Sequence, residues 1–298
     1  MHLDFLDYLA AAGAGGAAGA INALAGGGTL VSFSTLVGLG VPPVTANVTN
    51  TVSLVPGYLT GAWAQREDLR VQLSHAWALA AVAFAGGLCG SVLLITIPAH
   101  AFKVVVPYLI LLACALLLAQ DWLRERLRPA GGQAASAVGP NDVQGPNDRD
   151  EKAPAGEPGA APVQERGAVE VEPVQASPRP EHAHPALLVA VFGAAVYGGF
   201  FGAGLGIMLL AVLGLLTSQS LLQVNALKQA LSFVINVVAA TFFAISGHVA
   251  WELVPVMAVA AMVGAVFGTR LVRVISPSHL RFVVAVIGVA VAITFWVS

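Results

Sequence analysis

Long apolar runs with almost no charged residues limit what this chain can fold into. Residues 187–216 contain no Asp, Glu, Lys or Arg, and residues 77–97, 104–119 and 282–297 are equally free of charge. A run of about 20 apolar residues is long enough to cross the hydrocarbon core of a bilayer as a helix. Because only 10% of the residues are charged and the mean hydropathy is +0.80, the sequence predicts an all-α integral membrane protein.

One internal segment has a different composition. Residues 129–184 hold nine of the 16 acidic residues but only four of the 14 basic ones, and ten of the 17 prolines lie between 129 and 185. Such a segment cannot bury enough apolar surface to fold, so we expect a disordered, acidic, Pro- and Ala-rich linker. The predicted organisation is a first membrane repeat at 1–128, the linker at 129–184 and a second membrane repeat at 185–298.

The two apolar halves align with each other at a constant offset of 178 residues. The aligned pairs include Gly26 with Gly204, Gly28 with Gly206, Asn47 with Asn225, Asn50 with Lys228 and Lys103 with Arg281. A constant offset across both halves indicates an internal duplication. Each half contains four apolar blocks, and the first block is too long for one spanning helix and is interrupted by glycines. We therefore predict that each repeat is a glycine-broken hairpin or re-entrant element followed by three spanning helices.

The basic residues predict how the repeats are oriented. If the first block of each half returns to its starting side, only Lys103 lies on one side, and the other side collects Arg66, Arg70, Arg124, Arg126, Arg128, Arg270, Arg273 and Arg281. If every block crossed once, the basic residues would be divided almost evenly. Cytoplasmic loops are enriched in Lys and Arg, so we predict inverted repeats in the cell membrane, with both termini outside and the linker in the cytoplasm.

Several functional classes have little support in the sequence. Nucleic acid is not an expected partner, because no basic patch with interleaved aromatic residues is present. Cys89 and Cys114 both lie in apolar runs and are expected to be packing residues, so no cofactor, metal site or catalytic residue is predicted. The N-terminus carries two acidic residues and no basic region, which argues against a cleaved signal peptide.

The candidate binding site lies where the two repeats meet. Secondary transporters built from inverted repeats bind their substrates near the bilayer midplane, beside discontinuous helices. A helix that begins after a glycine break offers free N–H groups and the positive end of its dipole to an anion. The candidate residues at the two breaks are Gly26, Gly27, Gly28, Thr29, Gly204 and Gly206. Close helix packing through small residues is the alternative explanation for these glycines.

Two polar helix faces, one in each repeat, supply the other candidates. Their members share the helical spacing i, i+3, i+4 and are Asn47, Asn50 and Thr51 in the first repeat and Asn225, Lys228, Gln229 and Ser232 in the second. A lysine inside a membrane segment is costly and indicates a functional site. Its expected counter-charge is a bound small anion. The alternative is that Lys228, near the start of its helix, extends its ammonium group to the lipid headgroups.

These motifs resemble those of a known family. GAINALAGGGTLVSFSTLVGLGVPPVTANVTNTV in the first half resembles the opening motif of the TauE/SafE family, also called the sulfite exporter or TSUP family. GGFFGAGLGIMLLAVLGLL and VNALKQALSFVINVVA in the second half resemble that family's second repeat. The resemblance implies a multi-pass permease for small sulfur-containing anions such as sulfite or organosulfonates. The long acidic linker departs from what we expect of compact family members.

The sequence thus predicts a secondary transporter, not an enzyme, that moves a small sulfur-containing anion through a site between the repeats. A passive anion channel is an alternative, and its flux would not depend on a proton or sodium gradient. A membrane sulfur-relay protein is a second alternative, and it would lose its activity without Cys89 and Cys114. A receptor is a third alternative, and it would lose its function without the linker. The expected partners are the anion, the lipid bilayer and a second copy of the chain in a homodimer; the sequence does not identify the coupling ion.

Overall fold

The computed structural model describes residues 4–24, 26–70, 73–126, 185–217, 219–271, 285–286 and 288–295. These residues contain no β-strand, which confirms the predicted all-α fold class. Their helices are α1 (Phe5–Leu24), α2 (Gly28–Gly38), α3 (Pro43–Ala64), α4 (Arg66–Arg70), α5 (Leu73–Thr96), α6 (Ala99–Arg126), α7 (Pro185–Phe200), α8 (Leu205–Leu216), α9 (Leu221–Ala244) and α10 (Val254–Leu271). Residues 285–286 and 288–295 are also helical. The linker predicted at 129–184 lies outside the described residues.

Several helices have the length and composition of membrane spans. Within the described ranges, Ala76–Thr96, Ala99–Ala119 and Leu222–Ala244 are long and apolar enough to cross a bilayer, and shorter apolar helices cover Gly28–Gly38, Pro185–Phe200, Leu205–Leu216 and Val254–Gly268. α3 has 22 residues, but it carries buried asparagine, threonine and serine side chains that lower its hydropathy. These polar side chains face protein rather than lipid, as irregular or polar elements at membrane depth must.

The helix bounds follow the duplication seen in the sequence. Adding 178 to the bounds of α2 and α3 gives 206–216 and 221–242, which nearly coincide with α8 and α9. Equivalent helices also have equivalent packing partners. α1 packs on α10 and its equivalent α7 packs on α5, while α3 packs on α10 and its equivalent α9 packs on α5. Both halves belong to one compact unit. The most extensive helix contacts therefore join helices of different repeats.

The two equivalent helices α3 and α9 run in opposite directions. Gln65, at the end of α3, accepts a hydrogen bond from Asn225 near the start of α9. Thr49, near the start of α3, accepts the N–H of Ala250, beyond the end of α9. Opposed equivalent helices are compatible with an inverted repeat. The number of crossings and the orientation in the membrane stay predictions.

Glycines allow the helices of the two repeats to approach closely. A side chain at Gly90 of α5 would collide with the main chain of Val196 in α7, and one at Gly268 of α10 would collide with the main chain of Ala20 in α1. Gly90 and Gly268 are equivalent positions, since 90 + 178 = 268. The same small-residue packing therefore fixes both contacts between the repeats, as it does at other close helix contacts in membranes.

Candidate functional site

The two glycine breaks lie against each other. α1 ends at Leu24 and α2 begins at Gly28, while α7 ends at Phe200 and α8 begins at Leu205. The positive φ angles at the breaks belong to Gly26 (75°), Gly27 (91°), Gly202 (72°) and Gly204 (81°), a region that residues with a Cβ rarely adopt. A Cβ on Gly26 would lie 2.7 Å from the main-chain carbon of Gly206. The first break therefore touches the second through main-chain atoms.

The side chain of Thr29 links the two breaks. Its Oγ1 donates a hydrogen bond to the main-chain oxygen of Gly202 at 3.4 Å and accepts the N–H of Gly204 at 3.3 Å. The main-chain oxygen of Thr29 accepts a hydrogen bond from Nδ2 of Asn50 at 3.2 Å. A residue of the first repeat thus satisfies main-chain groups of the second, which the interruption of the helix would otherwise leave unpaired.

Side chains of the opposite repeat also reach the last carbonyls of α1 and α7. Nζ of Lys228 donates to the main-chain oxygen of Asn22 at 3.4 Å, and Nδ2 of Asn47 donates to the main-chain oxygen of Phe200 at 3.0 Å. Asn22 and Phe200 are equivalent, since 22 + 178 = 200, but their two donors are not equivalent. The carbonyl end of a helix dipole attracts positive charge, so the end of α1 stabilises the ammonium group.

Lys228 is fully buried, with an exposed fraction of 0%. Its Cδ lies 3.9 Å from where a Cβ on Gly206 would be, so the side chain passes the second break on its way to the first. This path is incompatible with the alternative in which the ammonium group reaches the lipid headgroups. Of the buried polar residues within the described ranges, Lys228 alone carries a full charge.

Asn22 is a site residue that the sequence analysis did not identify. Its Oδ1 accepts the N–H of Gly28, the first residue of α2, at 2.8 Å. We predicted that the amides after each break would be free to bind an anion, but Gly28 donates to Asn22 and Gly204 donates to Thr29. In this structure these two amides are therefore paired within the protein, and anion binding at the breaks stays a prediction. The available signal was a polar residue in the last turn of an apolar run, directly before a glycine break.

The remaining predicted residues lie in different places. Thr51 is buried and donates to the main-chain oxygen of Asn47, one turn earlier in the same helix. Asn225 and Gln229 contact α3 near its end: Nδ2 of Asn225 donates to Gln65, and Nε2 of Gln229 lies against Gly61. Ser232 is fully buried on α9. The structure thus brings Lys228, Asn47, Asn50 and Thr29 to the breaks, and it places Asn225 and Gln229 at the α3 end.

Two cavities in the described part of the chain lie apart from the predicted site residues. Two cavities of about 150 and 290 Å³ are lined by residues of α4, α5 and α9 and by residues of α3 and α9, and no predicted site residue lines either. The described residues hold no group of three or more His, Cys, Asp or Glu side chains able to bind a metal. Sγ of Cys114 lies 3.7 Å from the main-chain oxygen of Ala285.

An all-α membrane protein with a buried polar junction between two broken helices has the features of a membrane transporter. The profile of the family described as sulfite exporter TauE/SafE matches residues 11–295, so the chain belongs to the TauE/SafE family. A protein of Haemophilus influenzae described as a probable membrane transporter protein is 26% identical over 267 residues, which cover 89% of this chain and 85% of that protein. No solved structure matches. The predicted family and the membrane transport class are confirmed.

Proposed function

We propose that this transporter moves a small sulfur-containing anion, such as sulfite or an organosulfonate, through a site at the junction of the two breaks. The observation that supports the proposal most directly is the fully buried Lys228, whose ammonium group reaches the end of α1 beside the first break. The family description names sulfite as the exported compound. An anion at this junction meets both the lysine and two helix N-termini, which favour negative charge.

Binding of the anion gives these hydrogen-bond donors a charged acceptor. In the structure the ammonium group of Lys228 donates to a main-chain carbonyl, and the N–H groups of Gly28 and Gly204 donate to an amide and a hydroxyl oxygen. Hydrogen bonds to a charged acceptor are about twice as strong as those between neutral groups. A sulfite or sulfonate oxygen therefore competes well for the same donors, and it replaces the side-chain oxygens of Asn22 and Thr29 as their acceptor.

We further propose that the junction lies near the bilayer midplane and opens alternately to the two sides. Transporters with inverted repeats bind their substrates at the repeat interface and change access by moving one bundle against the other. Here α1, α3 and α10 form one set of mutually packed helices and α7, α9 and α5 form the equivalent set. The breaks lie where these two sets meet.

The test is thermal unfolding of the purified protein with sulfite, sulfate, thiosulfate, sulfoacetate, taurine and acetate. Wild type is compared with Lys228→Gln, which removes the buried charge but keeps a donor, and with Lys103→Gln, which removes an exposed lysine of α6. A ligand at 100 times its Kd stabilises the folded state by about 2.7 kcal/mol. We expect a sulfur-containing anion to raise the Tm of wild type and Lys103→Gln, and the shift to disappear in Lys228→Gln.

Other outcomes contradict specific parts of the proposal. An unchanged Tm shift in Lys228→Gln excludes the junction lysine as the partner of the anion. A wild type that responds to acetate but to none of the sulfur-containing anions overturns the substrate class. Uptake of the stabilising anion into liposomes, measured with and without an imposed ion gradient, then separates secondary transport from a passive channel.

A further inference from the structure

Six buried side-chain oxygens in the described structure have no hydrogen-bond partner, and four of them form two pairs with the same spacing along a helix. The pair on α3 is Oδ1 of Asn50 with Oγ of Ser53, and the pair on α9 is Oε1 of Gln229 with Oγ of Ser232. In each pair the serine follows the amide by three residues, which puts both side chains on one face of the helix. Their residues are 0–4% exposed, so bulk water does not satisfy these oxygens.

Asn50 has a fixed amide orientation. Its Nδ2 donates to the main-chain oxygen of Thr29 at 3.2 Å, and a flipped amide would set two oxygens against each other. The atom left over is therefore an acceptor. An unpaired buried acceptor destabilises the folded protein, so a ligand that satisfies it is favoured. On α9 the nitrogen of Gln229 lies against Gly61 without such a hydrogen bond, so the argument rests on the α3 pair.

An acceptor oxygen repels an anion, so the oxygen of Asn50 does not belong to the anion site. We propose that Asn50 and Ser53 hold a sodium ion whose binding is coupled to that of the transported anion. This inference rests on the proposed function, because it names the ion that accompanies the anion. It also changes the role of Asn50, which the sequence analysis assigned to direct anion binding.

The chemistry of the pair favours sodium over other coupling ions. Amide and hydroxyl oxygens are neutral hard ligands, whereas Ca²⁺ and Mg²⁺ sites in proteins depend on carboxylates. A transported proton needs a group that titrates; the buried residues of the described ranges include no Asp, Glu or His, and the ammonium group of Lys228 is already assigned to the anion. In transporters built from inverted repeats, main-chain carbonyls of interrupted helices coordinate the coupling cation, and Asn50 lies beside such an interruption through its hydrogen bond to Thr29.

Coupling follows from the position of the pair. Asn50 bonds to Thr29, and the hydroxyl of Thr29 holds the amide of Gly204 that the anion is proposed to take over. A sodium ion bound to the oxygen of Asn50 is therefore connected to the anion site through Thr29. By linkage, sodium must raise the affinity for the anion by the same factor as the anion raises the affinity for sodium.

The experiment measures Tm and anion affinity in NaCl, KCl and choline chloride at one ionic strength. Wild type is compared with Ser53→Ala, with the control Ser91→Ala, a buried serine whose Oγ already donates to Gly87, and with Asn50→Asp, which adds a charged sodium ligand and gives up the hydrogen bond to the main-chain oxygen of Thr29. We expect sodium alone to raise the Tm of wild type and Ser91→Ala and to tighten anion binding several-fold. Ser53→Ala should weaken the apparent sodium affinity at least tenfold, and Asn50→Asp should strengthen it.

The two proposals fail in different ways. If the three chloride salts act alike on wild type, or if Ser53→Ala responds to sodium as wild type does, the sodium site is wrong; anion binding lost in Lys228→Gln still supports the proposed function. If sodium stabilises the protein but no sulfur-containing anion does, the proposed substrate is wrong and the sodium site stands. Should Ser53→Ala not fold, a sodium response of Asn50→Asp no stronger than that of wild type overturns the inference.

Discussion

Gly26 and Gly40 have similar backbone conformations but different surroundings, with φ angles of 75° and 81°. No atom lies within 4 Å of where a Cβ on Gly40 would be, whereas a Cβ on Gly26 meets the main chain of Gly206 at 2.7 Å. Alanine at either position forces the left-handed conformation, at a cost of about 1–2 kcal/mol. At Gly26 it also pushes the two breaks apart.

We therefore expect Gly26→Ala to lower the Tm in detergent clearly more than Gly40→Ala does. The added cost is that of overpacking, about 1–3 kcal/mol. Gly26→Ala should also reduce transport, while Gly40→Ala should not. Equal losses of Tm in the two variants would show that the contact between the breaks contributes nothing beyond backbone strain.

At the residue scale, the sequence identified charges better than their partners. Lys228 stands out because a lysine in an apolar run has an evident cost. One partner of its ammonium group is the main-chain oxygen of Asn22, and every residue has such an oxygen, so no side-chain pattern could indicate it. For the same reason the sequence did not show that the amides of Gly28 and Gly204 are already paired.

At the scale of elements, the two ends of the contact between α3 and α9 are held by different hydrogen bonds. At one end Gln65 and Asn225 form an amide pair, with 2.6 Å between Oε1 and Nδ2. At the position equivalent to Gln65 the second repeat has Phe243, since 65 + 178 = 243. If access to the junction alternates as proposed, the two ends open in turn, and the amide pair must separate in one of the states.

Cross-linking tests this motion. Cysteines replace Gln65 and Asn225 in a Cys89→Ser/Cys114→Ser background, and a short bifunctional thiol reagent joins them. We expect transport to fall more than tenfold on cross-linking and to return after reduction, because α3 and α9 can no longer separate at that end. Each single-cysteine variant treated with the same reagent is the control. Full activity of the cross-linked protein would mean that α3 and α9 move as one body.

The sequence predicted most of the elements but not their neighbours. Glycines and the length of the first apolar blocks correctly indicated breaks near residues 26 and 204. The packing of α1 on α10 depends on main-chain contact at Gly16, Gly19 and Gly264. Glycines that permit close approach do not specify which distant helix approaches, and so the exchange of packing partners between repeats was not predictable from one sequence.

At the scale of the whole molecule, the described helices form one compact unit that does not include residues 128–181. We expect that replacing residues 130–182 by a Gly/Ser segment of equal length will leave anion transport within about twofold of wild type, because a flexible segment of the same length preserves the reach between the repeats. Transport into liposomes checks this result. A loss of more than tenfold would favour a regulatory or receptor role for the linker.

The exchange of packing partners between repeats also has a consequence for biosynthesis. When the first repeat leaves the ribosome, α1 and α5 lack the helices on which they pack in the finished protein, because α10 and α7 have not yet been made. Contacts between residues so far apart in the chain form late and slowly. We therefore expect the first half to remain in the bilayer with the glycine faces of α1 and α5 unpacked until the second half has been synthesised.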